Sequence, residues 1–278
     1  YLAIFNGREL RVVDWSDVQQ GKAHFHAMGS NIVYFPVYFE KEYQRNFAYP
    51  FILRANGTTV TLRPDTTRRQ TLTLTRKYPL HHNKVYHGNA LVGARFQASN
   101  DPTFQNPVTI HRVTHNPNMQ PVIVPVDTTQ KYRYWRFNHT KIVELAEWRF
   151  KDNRGLNLTG KSIDPEGRGA RLANIFDNDP LSHGRISHRL VVDFDHPVSV
   201  SEIIYLPRND ANGVYPGNEY ELLYFDLGGW QSLGCKIATD YSVDFENVPS
   251  NAVYWLRNHT AGKEERVFTI QNGEQRFW

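Results

Sequence analysis

Asn31-Ile32-Val33-Tyr34-Phe35, Tyr132-Arg133-Tyr134-Trp135-Arg136 and Asn251-Ala252-Val253-Tyr254-Trp255 are three versions of one short run. Each is rich in β-branched and aromatic residues and reads as a buried strand. After the second and third runs the match continues without a gap to Asn138-His139-Thr140 and Asn258-His259-Thr260. The first and third copies match over a longer stretch. Phe5 aligns with Phe225, Phe25 with Phe245, Asn31 with Asn251 and Tyr34 with Tyr254, all at one offset. Asn56-Gly57 answers Asn272-Gly273 as a turn. A further match joins Tyr78-Pro79 and Val85-Tyr86-His87-Gly88-Asn89 to Leu206-Pro207 and Val214-Tyr215-Pro216-Gly217-Asn218. Self-similarity at this spacing means duplicated modules. A duplicated framework suits a binding module used in tandem better than a single catalytic constellation. Val33, Tyr34, Tyr134, Trp135, Tyr254 and Trp255 are expected in corresponding strands, with one of each adjacent pair facing a core.

A chain of 278 residues is long enough for two ordinary domains. No stretch sustains helical apolar spacing for three turns, and short strand-like runs separated by turn residues recur throughout. The chain is read as all-β, built of tandem β-sandwich or jelly-roll modules. The formal net charge of +4 permits a nucleic-acid partner without arguing for one, and none is expected. No apolar run is long enough for a membrane span. Cys235 is the single cysteine, which excludes an intrachain disulfide and a zinc site built on cysteines; it reads as a small buried hydrophobe.

Three segments are expected. Residues 1–57 form a partial module resembling the end of the third repeat, and 58–153 a divergent sandwich segment packed with it. Residues 154–278 form one complete module. In that last module Leu190 to Phe194 is a strand turned by His196-Pro197, and Glu202 to Leu206 is the next. Asn209 to Gly213 is a loop by turn chemistry, and Gly228-Gly229 closes a hairpin between Tyr220–Phe225 and Trp230–Gly234. The chain starts in mid-module without a methionine, which reads as a fragment of a longer protein.

The third module resembles the discoidin-like, or coagulation-factor type C, family, whose fold is the galactose-binding-domain-like jelly roll. The resemblance runs through Asn174-Ile175-Phe176-Asp177-Asn178-Asp179-Pro180-Leu181-Ser182, Leu190-Val191-Val192-Asp193-Phe194 and Ile203-Ile204-Tyr205-Leu206-Pro207-Arg208. It continues in Tyr220-Glu221-Leu222 and Gly229-Trp230-Gln231-Ser232-Leu233. Ala146-Glu147-Trp148-Arg149-Phe150 is similar to the family's closing strand, and Val248 to Trp278 to the tail of a bacterial subgroup that follows transglutaminase-like domains in secreted proteins.

The resemblance implies a structural calcium at Asp177, Asp179 and Ser182, with Glu265 as a distal ligand; oxygen-rich loops of this kind suit a hard cation. From the residues alone, the same loop reads equally as an aspartate turn that caps its own backbone. The resemblance also implies sugar contacts from Arg208 and Asn212. His183 and Arg185 stand nearest the family's further polar contact, and Tyr215 or Tyr241 could supply the stacking face whose usual tryptophan is missing. The bland alternative pairs Arg208 with Asp210 or Glu219. Glu264-Glu265 adjoin and so point to opposite faces of a strand, which does not suit paired-carboxylate glycoside hydrolysis. No nucleophile elbow, metal-binding helix or phosphate loop is present, and no catalytic activity is expected. The functional expectation is weak glycan binding in an extracytoplasmic bacterial protein. The alternative is a structural spacer or docking module beside an enzymatic domain.

Overall fold

The computed structural model describes residues 1–26, 28–79, 87–261 and 265–278. The described residues are all-β, with antiparallel pairing throughout the sheets. The chain forms two compact units. One comprises 1–79 together with 212–278; the other comprises 80–211.

The 80–211 unit holds two five-stranded sheets. In one, the strand Tyr132–Asn138 lies between Arg95–Ser99 and Arg189–Val198. In the other, Val143–Lys151 pairs with Glu202–Pro207, which also pairs with Val122–Pro125. Alternating side chains from both sheets, among them Phe96, Trp135, Phe137, Leu145, Trp148, Phe150, Leu190, Val192, Ile203 and Tyr205, fill a single core. This is the sandwich that strands with one apolar face must build.

The pairing divides the chain differently from the expected segments. Arg189–Val198 and Glu202–Pro207 complete the sheets of residues 132–151, so the segment 154–278 is split between the two units. Residues 1–57 pack with 59–62, as expected of the start of 58–153, and with the third copy, whereas residues 80–153 belong to the other unit. The turn expected at His196-Pro197 is absent; the strand runs on to Val198 through a register shift opposite Tyr132, with Asp195 at a left-handed φ of 64°.

In the other unit the first and third copies carry the same sheet. The first has Leu10–Asp14, Leu2–Phe5, Ile32–Glu40, Phe51–Leu53 and Thr59–Thr61 in that spatial order. The third has Gly229–Ile237, Glu219–Asp226, Tyr254–Asn258, Val267–Gln271 and Glu274–Phe277 in the matching order. Local geometry repeats as well. The Tyr34 and Tyr254 hydroxyls each donate to a carbonyl five residues upstream, those of Gly29 and Pro249. Tyr34 meets Phe51 across the strand at 5.7 Å and 35°, and Tyr254 meets Phe268 at 5.5 Å and 34°. Asn31 and Asn251 both take left-handed φ, at 59° and 53°.

The two sheets meet reciprocally. Phe5 packs on Trp255 at 4.8 Å, and Phe35 packs on Phe225 at 4.8 Å. Because Phe5 is equivalent to Phe225 and Phe35 to Trp255, residue i of one copy touches residue j of the other in both directions. That is the signature of a two-fold interface, here realised inside one chain. The shared core holds the equivalent pairs Ala3 and Leu223, Phe5 and Phe225, Val33 and Val253, and Phe35 and Trp255.

The third-copy sheet is apolar on both faces. Leu223, Phe225 and Trp255 enter the shared core, while Tyr220, Leu222, Tyr254 and Leu256 face a further core. That core is closed by the two-stranded sheet of Asp65–Leu74 and Val243–Ser250. Both members of the pair Tyr254-Trp255 are therefore buried, and Val33 and Tyr34 of the first copy are both buried as well. Trp135 is buried and Tyr134 half-buried, which matches the single-core expectation in the sandwich alone.

The two chain segments of this unit are joined where the intervening residues leave and return. Lys77 N donates to the Asn212 carbonyl at 3.0 Å, Val214 N donates to the Thr75 carbonyl at 2.9 Å, and Arg76 bridges Gly213. Ends held this close make an insertion topologically cheap. Replacing residues 80–211 by a short Gly-Ser linker should leave a protein with strand circular dichroism and one cooperative thermal transition. A product that lacks a cooperative transition would contradict this division of the chain.

Candidate functional site

The residues expected to bind a ligand fall into both units. Arg208, His183 and Arg185 belong to the 80–211 unit; Asn212, Tyr215 and Tyr241 belong to the other. Arg208 follows the strand Glu202–Pro207 and is fixed at two points. Its Nε donates to Asp210 Oδ1 at 2.8 Å, and its terminal nitrogen donates to Glu144 Oε2 at 2.9 Å. The guanidinium is thus committed to two carboxylates, as the bland alternative held for Asp210. The Glu144 contact was not legible, because Glu144 reaches Arg208 through pairing of Val143–Lys151 with Glu202–Pro207. His87 Nδ1 stands 3.2 Å from the same Glu144 oxygen. Burial, ahead of the neighbouring charges, holds the imidazoles of His87 and His183 below their usual range. Arg185 is exposed on Gly184–Ile186, opposite Glu144. Asn212 is buried, and its Nδ2 meets no hydrogen-bond acceptor among the described residues. Tyr215 is buried and packs edge-on against Tyr241 at 6.1 Å, so it offers no open stacking face. Glu264 lies outside the described residues.

The acidic loop forms as a chain of aspartate turns. Asp177 Oδ1 accepts from Asp179 N at 2.9 Å, Asp177 Oδ2 from Ser182 Oγ at 2.8 Å, and Asp179 Oδ1 from Leu181 N at 2.9 Å. Asn178 sits at φ 62° and accepts from Arg149 at 2.9 Å. Glu265 takes no part. Both its oxygens are used in the other unit, by Trp255 Nε1 at 2.7 Å and Asn258 N at 2.7 Å. The carboxylate within electrostatic reach of this loop is Glu147, on Val143–Lys151. It is 1% exposed, and neither oxygen meets a hydrogen-bond donor among the described residues. Arg149 Nε stands 3.6 Å away. Burial pushes the Glu147 carboxyl up to about 7; Arg149 opposes the shift, and the charges of Asp177 and Asp179 add to it. A buried carboxylate without a donor, within electrostatic reach of two aspartates, offers oxygens of the kind a hard divalent cation takes, although the three side chains do not bring their ligand atoms within 4.8 Å of one another.

A cleft of about 640 Å³ opens in the duplicated unit, a volume in the usual range for small-molecule sites. Equivalent residues of the two copies line it, Asn31 with Asn251, alongside Arg54, Gln271, Arg276 and Trp278. The Trp278 indole is fixed by donation from Nε1 to Thr269 Oγ1 at 3.0 Å, and the Arg276 guanidinium stacks over its ring at 4.8 Å. The repeat was visible in the sequence. That its two copies face each other and leave a cleft between them was not.

No family model, curated protein or solved structure matches this chain. No helix among the described residues is long and apolar enough to cross a membrane.

An acid whose folded-state value lies above its ordinary one binds its proton more tightly when folded. The stability it contributes is therefore lost as pH rises through the window from 4.5 to about 7. In chelator-treated protein, stability should fall by a few kcal/mol across that window, because each tenfold gain in proton affinity on folding is worth about 1.4 kcal/mol. Glu147→Gln should flatten the fall, as read by denaturant midpoints at pH 5 and pH 8. An unchanged slope in the variant would assign the pH dependence elsewhere.

Proposed function

We propose that this chain is a non-catalytic binding protein for a neutral glycan, acting outside the bacterial cytoplasm. The observation that carries the proposal is the cleft of the duplicated unit, which combines amide and guanidinium side chains with a rigidly held indole. Sugar hydroxyls are both donors and acceptors, so Asn31, Asn251 and Gln271 can satisfy them from either end of the amide. The apolar face of a pyranose would take the place of the Arg276 guanidinium over the Trp278 ring. This moves the ligand from the Arg208 loop to the cleft, because Arg208 spends its fork on Glu144 and Asp210. The test is a glycan-array screen. Wild type and Arg208→Ala should bind the same glycan, whereas Trp278→Ala should lose about ten- to hundredfold in affinity. Loss of binding in Arg208→Ala with retention in Trp278→Ala would return the site to the loop.

A second reading, a spacer or docking module, is favoured by the same ion-paired Arg208. Under it, wild type binds nothing on the array. Arg208→Ala then acts on stability alone, costing about 1–3 kcal/mol through the carboxylates left behind.

Calcium belongs to the proposal as a structural ion held by Asp177, Asp179 and Glu147, which would neutralise the orphaned carboxylate. Millimolar calcium should raise the melting temperature of chelator-stripped protein by binding the folded state preferentially. Glu147→Gln and Asp179→Ala should each abolish the rise, and Glu265→Gln should keep it. An unchanged melting curve in wild type would remove calcium from the account.

A further inference from the structure

The central sheet of the duplicated unit carries a second cluster of metal-binding side chains, separate from the acidic loop and from the cleft lining. Glu221 lies on Glu219–Asp226, and Cys235, exposed where the sequence suggested a buried residue, sits directly opposite it on Gly229–Ile237. His259 follows the neighbouring strand Tyr254–Asn258, and its backbone N donates to the Glu219 carbonyl at 2.9 Å, which extends the ladder by one step. One ligand atom from each of the three side chains lies within 4.8 Å of the others. The pairing shifts register between Glu221 and Leu223, with Gly234 at φ 98° on the facing strand. Such a bulge re-aims the side chains beside it.

We propose that Glu221, Cys235 and His259 bind one zinc ion, with a fourth position open to solvent. The donor set is the reason for zinc. A thiolate, an imidazole and a carboxylate together match its borderline softness, whereas calcium and magnesium take oxygen alone. Charge also closes: one thiolate and one carboxylate neutralise a divalent ion, and the thiol proton leaves to solvent on binding. Zinc bonds of about 2.0–2.3 Å place tetrahedral ligand atoms roughly 3–4 Å apart, so side-chain rotation on fixed strands suffices. His259 Nε2 is already 3.0 Å from Glu221 Oε2, and the ion would replace that contact. Arg257 comes no closer than 3.8 Å to Glu221, and its guanidinium stacks on the Trp255 ring at 5.2 Å. It can stay there while the carboxylate turns to the metal. A lone cysteine gives no zinc site from sequence. Here three adjacent strands supply one ligand each, and no spacing motif records that.

The experiment uses the full chain, reduced and stripped of metal. Zinc titrated against a chromophoric chelator should bind with one ion per chain. Cobalt(II) in its place should give a sulfur-to-metal charge-transfer band and the intense visible absorption of a four-coordinate ion. Cys235→Ser should abolish the charge-transfer band. Cys235→Ser and His259→Ala should each weaken zinc binding by about a hundredfold or more, beyond what loss of an outer-shell partner costs. His24→Ala, at an exposed histidine elsewhere, should bind as wild type does. Failure of wild type to bind zinc at micromolar concentration would overturn the proposal. So would a cobalt spectrum without the thiolate band, a result independent of whether any variant folds. Equal zinc affinity in wild type, Cys235→Ser and His259→Ala would overturn it as well.

Discussion

The contact on which the duplicated unit depends is a pair of aromatic packings, Phe5 on Trp255 and Phe35 on Phe225, that are images of one another. A lone antiparallel sheet has one apolar face to hide. Two copies of the same sheet hide theirs against each other, and the two-fold relation follows because the surface is self-complementary. The third copy then needs a second cover for its other face, where Tyr220, Leu222 and Tyr254 are buried. Asp65–Leu74 and Val243–Ser250 provide it. The phenol-to-carbonyl bonds of Tyr34 and Tyr254 pin corresponding corners of the two sheets.

From this arrangement the placement of the candidate sites follows. The cleft is lined by equivalent edges of the two copies, which is why Asn31 and Asn251 both appear in it. The zinc candidate lies on the third-copy sheet, where three neighbouring strands each bring one ligand. The acidic loop and Glu147 belong instead to the sandwich. There Glu147, beside the register shift between Leu145 and Glu147, is buried without a hydrogen-bond donor among the described residues.

Strand content, the tyrosine repeat and the Asn-Gly turns were legible in the sequence because they rest on local patterning and short-range turn chemistry. What was not legible was long-range. Nothing local says that Leu190 pairs with Phe137, or that residues 1–79 wait for residues 212–278. The expected module 154–278 was contiguous in sequence but not in space. The same blindness applies to Glu265, which the resemblance assigned to the acidic loop and whose two oxygens are used in the other unit. Only the fold shows that Glu265 accepts from Trp255 and Asn258, while Glu147, buried within Val143–Lys151, has Arg149 at 3.6 Å and no hydrogen-bond donor among the described residues. The one available signal was an acid in the otherwise apolar run Ala146-Glu147-Trp148. Arg208 was placed on the right loop, and its ion pair with Asp210 was foreseen as the bland alternative to ligand binding.

The reciprocal core is tested most directly by two double-mutant cycles, one on Phe5 and Trp255, the other on Phe35 and Phe225. Each pair is truncated to alanine singly and together, and stability is read from denaturant unfolding. Edge-to-face aromatic pairs couple by about 0.5–1.5 kcal/mol beyond the area they bury. Matching couplings of that size in both cycles are the predicted result. Additive effects in either cycle, or coupling in one and none in the other, would contradict an internal two-fold.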